Sequence, residues 1–274
     1  MKIITNIKEL QEYKKTITNK TIGFVPTMGA LHEGHISLIK QARENNSILI
    51  VSIFVNPTQF LANEDFSKYP NKTEADIKIC NFAKVDVLFM PNINEMYTSD
   101  EITISAPKIR AYILEGLQRP GHFDGVLQIV LKLFNLVNPN NVYFGKKDAQ
   151  QLALVKQMVL NLFLNINIVE CEIIRDENGL ALSSRNIYLS KEEKIQALKI
   201  SQSLKKATQI ILSGELNSNI IINSMQNKMQ NIDIEYIQIV SRDFKYLHKC
   251  EIGNSIILVA AKIGSTRLID NIWV

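Results

Sequence analysis

The chain has 274 residues, of which 46% are hydrophobic and 21% charged, and a formal net charge of +4. This is the make-up of a water-soluble globular protein with one large or two modest cores. No apolar run reaches the roughly 20 residues of a membrane span, the N-terminus lacks a signal-peptide pattern, and basic residues form only weak pairs such as Lys14-Lys15 and Lys205-Lys206, so neither a membrane nor a nucleic-acid partner is indicated and a cytoplasmic location is expected.

In chain order, Asn6 with Glu9 three residues later predicts a capped first helix. Strand-like apolar runs follow at 21–25, 48–55, 85–90 and 167–174, with helical patterns near 35–45, 73–83, 125–137 and 149–162. Alternation of this kind indicates the α/β class, a Rossmann-like, doubly wound parallel sheet covered on both faces, with ligand at the carboxyl ends of its strands. The first domain is therefore placed at residues 1–175.

The texture changes near residue 176. Asp176-Glu177-Asn178-Gly179 is a turn signal, and Ser190 with Glu193 is a capping box opening a long helix that ends near Gly214. A second helix is expected near 217–230, then strands at about 232–241, 254–262 and 266–273. Two helices before three consecutive strands suggest an α+β unit with an antiparallel sheet, a C-terminal lid domain over 176–274. Cys80, Cys171 and Cys250 lie far apart among apolar neighbours, which predicts buried thiols rather than a disulfide framework, a zinc site or a nucleophile.

The strongest motif follows the first apolar run: Pro26-Thr27-Met28-Gly29-Ala30-Leu31-His32-Glu33-Gly34-His35. A strand, a glycine-containing turn and a helix start come in succession there. A helix start offers N–H donors and positive potential to a phosphate. Gly29 and Gly34 permit close backbone approach, and imidazole N–H groups can donate to phosphate oxygens as charge builds. The plainer reading makes His32 a turn residue and His35 a first-turn residue. Two of only four histidines within four positions, at the carboxyl end of a strand, favour function.

Other constellations lie further on. Asn56 and Gln59, in Phe54-Val55-Asn56-Pro57-Thr58-Gln59-Phe60, place two amides at a strand end, fit for a small polar substrate or for a plain Asn-Pro turn. Tyr143-Phe144-Gly145-Lys146-Lys147-Asp148-Ala149-Gln150-Gln151 is a second strand-turn-helix junction. Its Lys147 can neutralise phosphate, its Asp148 can bind a ribose hydroxyl or cap a helix, and its Gln151 can point towards a crevice. In Leu182-Ser183-Ser184-Arg185, paired hydroxyls and a guanidinium can clamp phosphate oxygens or form a polar linker, and a boundary segment of this kind can close over a site. His122, in the polar turn Arg119-Pro120-Gly121-His122-Phe123-Asp124-Gly125 before a helix, either supports a site or holds the turn. Glu74 and Asp76 can meet Mg²⁺, but no protein metal ligand is assigned, because nucleotide-bound Mg²⁺ is often held by phosphates and water.

In this order, the motifs Pro26–His35, Phe54–Phe60, Gly121–Val126, Phe144–Gln151 and Ser183–Asn186 resemble the pantothenate synthetase (pantoate–β-alanine ligase) family, in detail from about residue 20 to 190. The His-x-Gly-His (HxGH) core alone places the chain only in the wider nucleotidylyltransferase and class I aminoacyl-tRNA synthetase-like superfamily. The resemblance implies a ligase that forms pantoyl adenylate from pantoate and ATP, then passes the acyl group to β-alanine, releasing pyrophosphate and AMP. It implies ATP contacts from Pro26, Thr27, Met28, Gly29, Ala30, Leu31, His32, Glu33, Gly34, His35, Gly145, Lys146, Lys147, Asp148, Ile174, Leu182, Ser183, Ser184 and Arg185, with His32, His35, Lys147 and Arg185 catalytic. It assigns pantoate and β-alanine to Gln59, Gln151 and Asn56, Mg²⁺ to the nucleotide, and a homodimer to the assembly. Leu182, Lys146 and Ala149 depart from the family's usual methionine, glutamate and aromatic residue, and Lys146 adds positive charge beside Lys147. Two alternatives compete: another nucleotidyltransferase that leaves a nucleotide on its product, and a silent nucleotide-binding module. The first lacks a need for the paired amides, the second for both histidines with Lys147 and Arg185.

Overall fold

Among the described residues, 1–62 and 64–274, a computed structural model pairs six short strands into one sheet. They are β1 (Lys2–Ile4), β2 (Ile22–Thr27), β3 (Ile48–Ile53), β4 (Val87–Phe89), β5 (Asn141–Gly145) and β6 (Asn167–Cys171). The order is β1-β4-β3-β2-β5-β6, with every neighbouring pair parallel. A parallel sheet needs cover on both faces, and β3 is accordingly buried at every position but its last. Helices α1 (Ile7–Lys15), α2 (Glu33–Asn45), α3 (Thr73–Phe82), α4 (Ile93–Met96), α5 (Glu115–Gln118), α6 (His122–Val137) and α7 (Ala149–Asn161) lie between the strands in sequence.

The strand order reverses at β2, since β3 and β4 follow to one side and β5 and β6 to the other. Such a switch point opens a crevice at the carboxyl ends of the strands. Register aligns the exits: Ile22 pairs with Ile48 and, at the far end, Thr27 with Ile53, so the turns after β2 and β3 leave the same edge.

The chain divides into two compact units, Met1–Lys146 with Gln150–Glu172, and Lys147–Ala149 with Ile173–Val274. In the second, Leu182 N–H donates to Ile174 O and Arg175 bridges Ala181. The Asp176 carboxylate accepts from Asn178 N and Leu180 N across the turn. Ser190 and Glu193 form the expected capping box at the start of α8 (Lys191–Leu212). After α9 (Ser218–Lys228) come β7 (Asp233–Ser241), β8 (Ser255–Ile263) and β9 (Thr266–Trp273), an antiparallel sheet. Ile200, Leu204, Ala207, Met225, Ile257 and Val259 belong to the core of this unit.

Several elements differ from the sequence reading. β1 is an additional strand whose three residues gain ladder bonds only by pairing with Val87–Phe89 of β4. The strand expected over 167–174 stops at Cys171, because Ile174 pairs with Leu182 instead. His122 is not in a turn before the helix but is the first residue of α6, after Gly121 at φ +83° in the left-handed region. Cys80, Cys171 and Cys250 are buried and free. Burial, with the Asp76 charge beside it, pushes the Cys80 thiol up to about 12, and burial with Glu172 pushes Cys171 up to about 11, so neither is a thiolate nucleophile. No helix among the described residues is long and apolar enough to cross a membrane.

Candidate active site

The turn after β2 is built by its own side chains and by one carboxylate from α3. Thr27 Oγ1 donates to Ser52 O at 2.8 Å and accepts from Gly29 N at 3.2 Å. Gly29 (φ +83°) and Ala30 (φ +50°) take left-handed conformations. A Cβ at Gly29 would stand 3.0 Å from Ile53 Cγ2 and 3.1 Å from Asp76 Oδ2, so glycine is required both by angle and by space. The two Asp76 oxygens accept from Ala30 N and Leu31 N, each at 2.8 Å. Asp76 is only 2% exposed. Its burial raises the carboxyl above its usual value, against the lowering effect of those two N–H bonds.

The helix start is capped by imidazoles. His32 Nδ1 accepts from Gly34 N at 3.1 Å, and His32 N donates to His35 Nδ1 at 3.3 Å, a reciprocal capping box with the rings 4.1 Å apart. An Nδ1 that accepts cannot carry a proton, so each neutral ring bears its hydrogen on Nε2. The backbone donors expected to meet a phosphate are thus largely engaged within the turn: Gly29 N by Thr27, Ala30 and Leu31 N by Asp76, His32 N by His35, Gly34 N by His32.

The turn after β3 carries Asn56 and the 3-10 turn Pro57–Gln59. Asn56 is 1% exposed. Its Nδ2 donates to Gln59 Oε1 and to Gly125 O, each at 3.1 Å, and its Oδ1 accepts from Tyr97 Oη at 2.6 Å and Thr58 Oγ1 at 3.1 Å. Both ends of the Asn56 amide thus have partners inside the protein, and one of them, Gln59 Oε1, is oriented by it. With Gln59 Oε1 turned to Asn56, its Nε2 faces Met28 Sδ at 3.1 Å, which joins the turns after β2 and β3. α6 crosses close behind: a Cβ on Gly125 would fall 2.2 Å from Thr58 O.

At the exit of β5, Gly145 and Lys146 remain in the first unit, where the Lys146 ammonium pairs with Glu172. Gln150 is buried and ties down the turn before α5, accepting from Glu115 N and donating to Arg110 O and Ile113 O. Gln151, next along α7, is half-buried.

The second unit holds Lys147, Asp148, Ile174 and Leu182–Arg185. Asn271 Nδ2 donates to Lys147 O at 2.8 Å, and Lys147 Nζ lies 3.9 Å from Asp148 Oδ1. Ser183 Oγ accepts from Arg185 N at 3.3 Å and caps the 3-10 turn Ser184–Tyr188. Among the described residues no group of three or more histidines, cysteines or carboxylates could hold a metal. Asp76 faces Ala30 and Leu31, while Glu74 is exposed on α3.

A family model for pantoate–β-alanine ligase matches residues 2–273. The chain belongs to the pantoate–β-alanine ligase family. It is 57% identical to the pantothenate synthetase of Aliarcobacter butzleri, with all of both chains covered. Among solved structures it resembles the pantothenate synthetase of Thermus thermophilus, with a TM-score of 0.94 at 35% identity over 99% of each chain. It also resembles the Francisella tularensis pantoate–β-alanine ligase solved with beta-gamma ATP and β-alanine, with a TM-score of 0.83 at 41% identity over 100% of this chain and 97% of that one. A pantoate–β-alanine ligase joins pantoate to β-alanine at the expense of ATP, through pantoyl adenylate, releasing AMP and pyrophosphate, and this chain is such an amide-forming ligase of pantothenate biosynthesis.

Two contributors escaped the sequence reading in their present roles. Asp76 shows one signal, an acidic residue one helical turn before buried Cys80 on the inward side of α3. Tyr97 shows none, since nothing near it in sequence predicts its hydrogen bond to Asn56.

Proposed function

We propose that adenylation takes place at the turn after β2, with His32 and His35 as the donors to the phosphates. The observation that carries this reading is the reciprocal imidazole cap, which leaves both rings with hydrogen on Nε2. A neutral imidazole so fixed stabilises charge developing on the α-phosphate and on departing pyrophosphate without a proton leaving the ring, and one such preorganised donor is worth roughly 10² to 10³ in rate. Pantoate supplies the nucleophile through its own carboxylate, so no protein nucleophile is needed, in keeping with the raised thiol pKa values of Cys80 and Cys171.

Gln59 and Gln151 hold pantoate in this reading. The Asn56 bond to Gln59 Oε1 turns the Gln59 amide so that it offers Nε2–H, a donor suited to a hydroxyl or carboxylate oxygen. Pro26–His35, Gly145 and Lys146 make the ATP contacts of the first unit, and Lys147, Asp148, Ile174, Leu182, Ser183, Ser184 and Arg185 those of the second, with Lys147 and Arg185 countering phosphate charge. Mg²⁺ enters with ATP as part of the substrate complex. There the ion would be held by phosphate oxygens and water and would neutralise triphosphate charge. The aminolysis step needs positioning of the β-alanine amine and exclusion of water more than further acid–base groups.

We also infer a homodimer, supported by exposed apolar side chains such as Leu160 and Phe163 near the end of α7, and a cytoplasmic enzyme, supported by three unpaired buried cysteines. ATP–pyrophosphate exchange with Mg²⁺, in the absence of β-alanine, tests the first half-reaction at this site. Exchange that requires pantoate and falls by roughly 10² to 10³ in His35→Ala supports the reading, and exchange at the wild-type rate in His35→Ala overturns it.

A further inference from the structure

Behind the turn that carries Gln59 lies a chain of charged and polar groups that the reaction scheme does not use. The Arg119 guanidinium meets Glu64 with both arms of its fork, Nε to Oε1 at 2.5 Å and Nη2 to Oε2 at 2.7 Å. Its Nη1 lies 2.9 Å from His122 Nε2, and His122 Nδ1 lies 2.8 Å from Gln59 O. Nη2 also approaches Gln59 O at 3.4 Å. These partners determine the imidazole's protonation. A carbonyl oxygen only accepts, so Nδ1 carries the hydrogen; a guanidinium only donates, so Nε2 carries none. His122 is 7% exposed, and burial followed by the Arg119 charge pushes its pKa down to about 4, against the Gln59 carbonyl and the Glu64 and Glu115 carboxylates. Burial alone would raise the Glu64 carboxyl, but the Arg119 hydrogen bonds and charge, with the Leu61 N–H, hold it below its ordinary value.

A histidine locked between a donor and an acceptor has no lone pair or proton to exchange with a substrate. What it does is fix a peptide group. We propose that His122 is a positioning residue: with Arg119 and Glu64 it clamps the Gln59 carbonyl, so that the Gln59 carboxamide, already turned by Asn56, stands in one orientation towards pantoate. The inference rests on the reading of Gln59 as a pantoate contact. It makes His122 and Arg119 determinants of pantoate affinity, with no part in ATP binding or in proton transfer.

The test is steady-state kinetics on the full-length enzyme with each substrate varied in turn, for Gln59→Ala, His122→Leu, His122→Asn and Arg119→Lys, each checked for a native melting transition. His122→Asn keeps a donor for Gln59 O but cannot titrate. Arg119→Lys keeps the charge but loses the fork. The expected result is a KM for pantoate raised about tenfold in His122→Leu, the loss of about one hydrogen bond's worth of binding, with the KM for ATP unchanged. His122→Asn recovers most of that loss, and Arg119→Lys shows the same pantoate-specific split even if His122→Leu fails to fold. A His122→Asn enzyme with wild-type KM values and a kcat as low as that of His122→Leu would show a proton-transfer role and overturn the proposal. A normal pantoate KM in His122→Leu or, where that variant does not fold, in Arg119→Lys, beside a raised one in Gln59→Ala, would overturn the clamp and leave the Gln59 reading standing. A normal pantoate KM in Gln59→Ala itself would overturn both.

Discussion

The turns after β2 and after β3 leave the same sheet edge, yet they are held in opposite ways. The first is built mainly from within: His32 and His35, three residues apart, cap each other's backbone, and Thr27 caps Gly29. The second is built from afar, with Tyr97 and Gly125 on Asn56 and His122 on the Gln59 carbonyl. A locally capped turn can be recognised from spacing alone, whereas a turn assembled from distant groups shows only its own residues. The same difference ranks the expected consequences of mutation, because on the proposed reading substitutions in the first turn reach the phosphates and those around the second act through orientation.

The comparison breaks most sharply at His35→Ala. If His35 donates to phosphate as proposed, its loss should slow pantoate-dependent pyrophosphate exchange by roughly 10² to 10³. His35 is half-exposed, and its bond to His32 N is long, at 3.3 Å, so the melting temperature should fall little. A variant that keeps full exchange would remove the first turn from the chemistry.

Asp76 supports the first turn from a distance, and Asp76→Ala asks how much the locally built turn owes to it. The change leaves two buried N–H groups, on Ala30 and Leu31, without their acceptor. At about 1–3 kcal/mol for each stranded donor, less what water recovers, the expected loss in urea unfolding is about 3 kcal/mol. Asp76→Asn keeps one acceptor and should lose roughly half as much. Unchanged stability in Asp76→Ala would mean that the left-handed Gly29-Ala30 step holds itself.

These cases show what was legible in the chain and what was not. Four strands of the parallel sheet, the Ser190–Glu193 capping box and the three C-terminal strands rest on local periodicity and caps, and they stand close to where spacing placed them. β1 was missed because three residues make a strand only against β4. Asp76 read only as a carboxylate able to meet Mg²⁺ because its backbone partners lie 45 and 46 residues away. The partners of Asn56 were not legible either, because they include Tyr97 and Gly125, 41 and 69 residues away. The Lys146 pairing with Glu172 was not legible, because Glu172 lies across a helix and a strand in the chain.

Acidification sharpens the comparison, because the second turn rests on a neutral histidine. His122 titrates at about 4 in the fold against an ordinary 6.5, burial first and Arg119 second. Above pH 6.5 neither the folded nor the unfolded chain binds this proton. Between 6.5 and about 4 the unfolded chain takes it up and the folded one does not, so stability falls by about 1.4 kcal/mol per pH unit of acidification. Below about 4 both states bind the proton and the slope ends. Urea unfolding at pH 7 and pH 5 should show wild type losing about 2 kcal/mol more than His122→Asn over that interval. Equal losses would mean that Nε2 accepts a proton in the fold and that Arg119 moves aside.

The smallest expected effect is also the most selective. Tyr97→Phe removes the 2.6 Å bond to Asn56 Oδ1 and the 3.2 Å contact with Thr58 Oγ1, while the ring that lies 6.3 Å from Phe54 and beneath Lys132 Nζ at 4.5 Å stays in place. Asn56 Oδ1 keeps Thr58 Oγ1 as a donor, so the cost is that of one hydrogen bond with a replacement at hand, about 0.5–1 kcal/mol. Asn56 then holds the Gln59 amide less firmly, and the KM for pantoate should rise about two- to fivefold with the KM for ATP unchanged. A parallel rise in both KM values would show that Tyr97 supports the whole sheet edge, and would erase the distinction between a turn proposed for phosphate and a turn proposed for pantoate.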